Sequence, residues 1–143
     1  MSAQLPNYQQ IKKFIEQDDP KSLIEAADII GQELVTQKLT TSQIRALFGE
    51  VRRIKMNWTD DKDREKARQS YRKATLLKPK LGYQAKRMEQ KTHGVKTLED
   101  KLVPALDAVI EAPESERKVR FERLTDYFEA IVAYHRKHGG SNN

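Results

Sequence analysis

The chain has 143 residues, of which 37% are hydrophobic and 34% charged, with a formal net charge of +6 and no cysteine. That length is a prior for one domain with a single core, and the missing thiols exclude disulfides, thiolate metal sites and a cysteine nucleophile. No apolar run approaches a membrane span and the opening MSAQLPNYQQ lacks a signal-peptide pattern, so a cytoplasmic protein with no membrane partner is expected.

The charge is unevenly spread. Residues 1–43 carry 4 basic and 6 acidic side chains, residues 44–91 carry 15 and 6, and residues 92–143 carry 8 and 9. The whole positive excess sits in the middle third, which points to a surface facing a polyanion, nucleic acid being the commonest. A solubilising surface is the other reading.

No segment alternates with period two, whereas several repeat at helical spacing. A short helix is expected around YQQIKKFIEQ. In DDPKSLIEAADIIGQELVTQ, Asp19 is placed to cap and Pro20 suits the first helical position. Leu23, Ala27, Ile30 and Leu34 then form one stripe. The stretch TTSQIRALFGEVRRIK starts on Thr40 or Thr41 and gathers Ile44, Leu47, Phe48 and Val51 on one face. Gly49 interrupts it at a cost of about 1 kcal/mol relative to alanine. It lies on the flank that carries Arg45, Arg52 and Arg53, away from the centre of the apolar stripe. Either another helix packs closely there, or something that seeks positive charge approaches.

DDKDREKARQSYRKATLLK reads as a charged helix starting near Asp60 or Asp61. Arg64, Arg68 and Arg72 line up on it, and Asp60 is spaced to pair with Arg64, as on an ordinary solvated face. Ala67, Tyr71 and Ala74 make a thin stripe, expected to meet one neighbour only. Lys78 precedes Pro79 and marks a break or kink, with a new helix starting at Pro79. In that helix Leu81, Ala85 and Met88 share one face. Lys80, Gln84, Arg87 and Lys91 share the opposite one, with Tyr83 at its edge. Its rise of about 16 Å is enough to follow several phosphates of a single strand. Basic residues beside an aromatic suit contact with backbone and base, although Tyr83 reads equally well as half-buried core.

THGV reads as a turn, followed by a helix in TLEDKLVPALDAVIEA with Leu98, Leu102, Leu106, Val109 and Ile110 at helical spacing. Pro104 either kinks it or opens it late. After Pro113, ESERKVRFERLTDYFEAIVAYHRKH carries a broad band of Phe121, Leu124, Phe128, Ile131, Val132 and His135 until Gly139–Gly140 stops it. The expected architecture is all-α, a single compact bundle of about five to seven helices over residues 1–143, with flexible tails at 1–6 and 139–143.

The sequence offers no catalytic constellation. Its six glycines form neither a phosphate-binding loop nor a dinucleotide fingerprint. His135 and His138 lie three apart at a helix end without a carboxylate in a recognised ligand pattern, where the helix dipole favours histidine anyway. No enzyme, metal or cofactor is expected. A helix-turn-helix also fails, because Ala46 precedes Gly49 by three positions where that motif needs four, and the apolar stripe continues in phase to Val51 and Ile54.

Three blocks, LTTSQIRALFGEVRRIK (39–55), LLKPKLGYQAKR (76–87) and YFEAIVAYHRKHGG (127–140), in this order and spacing, resemble the small helical subunit of type III-A CRISPR (Csm) effector complexes. The resemblance implies a non-catalytic helical protein whose copies stack beside the backbone subunits along guide RNA and target RNA in antiviral defence. Cleavage and signalling would then belong to other subunits. Guide RNA, target RNA, the backbone and large subunits of the complex and further copies of the chain are its implied partners. On that reading Arg45, Arg52, Arg53, Lys78, Lys80 and Arg87 contact RNA phosphates, Tyr83 lies near a base or sugar, and Gly49 lets the strand approach the helix. Two alternatives are a free-standing non-specific nucleic-acid binder and a scaffold whose basic face meets an acidic protein.

Overall fold

Each of the first four helices starts where a side chain takes up an orphan backbone N–H. In the computed structural model, which describes residues 4–59 and 63–141, α1 spans Tyr8–Glu16, α2 Pro20–Thr36, α3 Thr41–Asn57, α4 Arg64–Met88, α5 Gly94–Ile110 and α6 Arg117–Lys137. A short 3-10 turn, Glu114–Glu116, precedes α6. Asn7 and Gln10 close a reciprocal capping box on α1, and Thr40 and Gln43 close one on α3. Asp19 caps α2, with its carboxylate accepting from the Ser22 N–H and hydroxyl and Pro20 in the first turn. Asp18 and Lys38 take left-handed backbone (φ 54° and 64°) to end α1 and α2, so that the Asp19 and Leu39 N–H groups reach back to the Phe14 and Leu34 carbonyls.

Helices α5 and α6 form the centre. α6 is flanked by α2 and α3, α5 by α1 and α4, and the ring closes where α1 meets α2 and α3 meets α4. The expected stripes supply the core: Leu23, Ala27, Ile30, Leu34, Leu98, Leu102, Leu106, Phe121, Leu124, Phe128 and Ile131 are all buried. Tyr127 joins them, fully buried, and donates its hydroxyl to the Lys101 carbonyl at 2.8 Å; burial holds its pKa well above the ordinary tyrosine value. Trp58 packs on Phe121 beyond the end of α3. No strand occurs among the described residues.

Three expectations are corrected, on Pro79, on the neighbours of α4 and on the start of α5. α4 starts at Arg64 on Asp63, whose carboxylate accepts from the Glu65 and Lys66 N–H groups; the expected starts at Asp60 or Asp61 and the Asp60–Arg64 pair lie outside the described residues. α4 then runs unbroken through Pro79. Pro79 is exposed, so its missing N–H falls on the solvent side, while Leu77 and Leu81 on either side of it are buried and hold one axis. α4 also meets more than one neighbour, touching α5, α3 and α6. Pro104 lies within α5, which starts earlier than expected, at Gly94, because Gly94 packs on Leu39 and donates its N–H to the Thr92 hydroxyl oxygen.

Of the two segments expected as flexible tails, residues 1–3, 142 and 143 lie outside the described residues. Pro6 offers its carbonyl to Lys101 at 3.0 Å, and Ser141 accepts from the Thr41 N–H at 2.8 Å. No described helix is long and apolar enough to cross a membrane.

Candidate nucleic-acid interface

With 3.6 residues per turn, the side of α3 opposite Ile44, Val51 and Ile54 carries Ser42, Arg45, Gly49, Arg52, Arg53 and Met56. All but Gly49, which is half-buried, are exposed, Met56 by 72%. A Cβ added at Gly49 would meet nothing within 4 Å. No described helix therefore packs on its backbone, and among the described residues the close-packing explanation of Gly49 is overturned. The helix bears the cost of a glycine and gains no internal contact from it.

The arginines around Gly49 are uncommitted. Among the described residues Arg45, Arg52, Arg53 and Arg87 make no ion pair, and the one ring contact, Arg52 over Phe48 at 5.9 Å, leaves that guanidinium exposed. Exposed guanidinium groups keep their full charge and five donors for a ligand. Basic residues elsewhere are engaged: Arg123 donates to the Ile15 and Glu16 carbonyls at the end of α1, and Arg120 to the Ala108 carbonyl.

α4 lies beside α3, and Lys80 reaches Glu50 at 2.8 Å to bridge the two helices. Tyr83 and Arg87 follow on the solvent side of α4, with Tyr83 63% exposed; the half-buried reading of Tyr83 is overturned. Arg45, Gly49, Arg52 and Arg53 are thus brought together on α3, with Lys80, Tyr83 and Arg87 on the adjoining helix. Lys78 is not. It lies two and a half turns from Arg87, on the opposite side of α4, and pairs with Asp107 of α5 at 2.8 Å. Asp107 also accepts the Tyr8 hydroxyl, which raises the Tyr8 pKa to about 12, with burial and the fields of Asp107, Glu111 and Glu16 adding to the shift. Lys78 therefore serves a junction of α1, α4 and α5.

Sequence reasoning missed Glu50, Leu47 as the floor of a groove between α3 and α4, and Met56. A signal for Glu50 existed: it lies three residues from Arg53, on the edge of α3 that adjoins the apolar stripe. Arg64, Arg68 and Arg72 form the exposed face expected of them, without an ion pair among the described residues.

The two histidines at the end of α6 are structural. His135 is buried and donates from Nε2 to the Leu39 carbonyl at 2.6 Å, and His138 Nε2 contacts the Asp28 carboxylate. The described residues contain no group of three metal-ligating side chains.

No curated protein and no solved structure matches the chain. The profile of the family described as Csm2 Type III-A matches residues 17–141, a span that contains α2 to α6 and with them the entire α3–α4 face. The chain therefore belongs to the Csm2 family, small subunits of the type III-A CRISPR Csm complex.

Proposed function

We propose that this small subunit is a non-catalytic, cytoplasmic RNA-binding protein of antiviral defence whose α3–α4 face holds the backbone of the guide–target RNA independently of sequence. Copies stack along that RNA beside the backbone and large subunits. Guides vary, so the contacts cannot depend on base identity, and phosphates, which carry no base information, meet that need. Lys80 is held by Glu50 and Lys78 by Asp107, so the phosphate contacts fall mainly to Arg45, Arg52, Arg53 and Arg87. The observation that carries the reading is Gly49: a helical residue without a side chain, with open space before it and uncommitted arginines one turn to either side. A strand can approach the helix there more closely than any other residue would permit.

A lone subunit with few contacts binds weakly, and stacking along one RNA raises avidity. The test is a tagged pull-down from the native host with sequencing of the co-purified RNA. Short RNAs that share a repeat-derived end and carry diverse spacers are expected. RNA-free material that survives nuclease would instead favour a scaffold on an acidic protein, and bulk cellular RNA a free-standing binder.

A further inference from the structure

We infer that the groove between α3 and α4 takes one unpaired nucleobase of the bound strand, stacked on Tyr83. The inference rests on the reading of the neighbouring arginines as a phosphate-binding surface and adds a base site to it. The groove has a volume of about 470 Å³, within the ~300–1,000 Å³ of small-ligand sites. Its floor is apolar, made by Leu47 and Val51 of α3 with Leu77 and Leu81 of α4, and Tyr83 stands at its wall. The Tyr83 hydroxyl makes no hydrogen bond and its ring touches no other ring among the described residues. At 63% exposure the ring keeps a face open to a ligand in the groove.

The chemistry of the groove selects the base over the phosphate. Glu50 lines it, with its carboxylate held 2.8 Å from the Lys80 ammonium. Lys80 lines the groove as well, but Glu50 already holds its ammonium, so an entering phosphodiester would find no unpaired cation, only the Glu50 carboxylate and an apolar floor, at a large desolvation cost. A nucleobase is neutral and flat. Its faces suit the tyrosine ring and the leucines, and each base has at its edge an N–H donor, the uracil imide included, that can reach Glu50 or pair with the Gln84 amide. The phosphates on either side are met outside the groove, by Arg53 one turn beyond Glu50 on α3 and Arg87 one turn beyond Tyr83 on α4. Every base has a π-face, so such a site holds a nucleotide without reading its identity, as variable guides require.

The experiment compares two ligands by fluorescence anisotropy on the full chain: a short oligouridylate, and an abasic oligomer with the same number of phosphates. The native protein is expected to bind the oligouridylate about ten-fold more tightly, the scale of one base–aromatic stack. Tyr83→Ala should erase that preference and Tyr83→Phe should keep it, with the same salt slope throughout. Equal binding of the two oligomers by the native protein, or a preference that survives Tyr83→Ala, would overturn the base site and leave the arginine surface standing. Binding of neither oligomer at low salt and high protein concentration, where even a few phosphate contacts register, would overturn both.

Discussion

Gly31 and Gly49 both lie inside long helices and both carry the same intrinsic penalty, yet their surroundings are opposite. A Cβ at Gly31 would come within 2.8 Å of Tyr134 Cβ and 2.9 Å of the His135 nitrogen, so α2 and α6 touch backbone to backbone there. The seam is closed around that point by His135 on the Leu39 carbonyl, His138 on Asp28, and Gly140, which leaves room for the His135 ring. Gly49 has open space and exposed arginines. A glycine whose cost is offset by an internal contact is explained by the fold. One without such a contact has no explanation among the described residues. The arginines divide in the same way: Arg120 and Arg123 satisfy carbonyls of neighbouring helices, whereas among the described residues Arg45, Arg52 and Arg53 meet no carbonyl and no carboxylate.

The sharpest way to break this contrast is Gly31→Ala. Overpacking the α2–α6 seam should cost about 1–3 kcal/mol, read by urea unfolding; an unchanged midpoint would show that the seam has slack. On the other face, charge reversal at Arg52 and Arg53 should leave the unfolding midpoint in place while flattening the salt dependence of RNA binding. The log–log slope should fall by about 0.7 for each phosphate that is no longer neutralised, and an unaltered slope would remove those residues from the interface. Gly49→Ala should move in the opposite direction from Gly31→Ala. It should stabilise the free protein by about 0.5–1 kcal/mol through helix propensity, while weakening RNA binding because a methyl group now holds the strand away. A loss of stability, or improved stability with unchanged affinity, would end the reading of Gly49 as a point of approach.

The smallest effect concerns the Tyr8–Asp107–Lys78 junction. The folded-state pKa of Tyr8 is raised from 10.0 to about 12, first by its hydrogen bond to Asp107. A raised folded pKa means stabilisation that is complete below about pH 10 and lost as the pH climbs toward 12. The native protein should therefore lose slightly more stability than Tyr8→Phe over that interval in paired denaturation curves. Parallel curves would mean that the bond adds nothing. RNA affinity should be untouched, since the junction lies on the other side of α4 from Arg87.

Much of the fold was legible in the linear pattern. Leu23, Ala27, Ile30 and Leu34, or Phe121, Leu124, Phe128 and Ile131, recur at a spacing that only a helix brings to one face, and their burial follows. The Asp19–Pro20 start was equally readable, because a cap acts within three residues. Pro79 misled for the same reason. Local rules weigh the lost N–H and the restricted preceding residue, whereas the burial of Leu77 and Leu81 in the bundle, which keeps the helix going, is a long-range term.

At the candidate interface, the charge partition and the helical phase of Arg45, Gly49, Arg52 and Arg53 were written in the sequence, because helix geometry alone places residues around an axis. The three family-like blocks were written there too. The pairing of Lys78 with Asp107 and of Lys80 with Glu50, 30 residues away, was not, nor was the groove that Leu47 and Tyr83 share. Which cations are free and which are tied, and whether a bare backbone faces a neighbour or open space, depends on how separate helices meet. Only the tertiary structure decides that, because such contacts act between residues distant in the chain and leave no period along it.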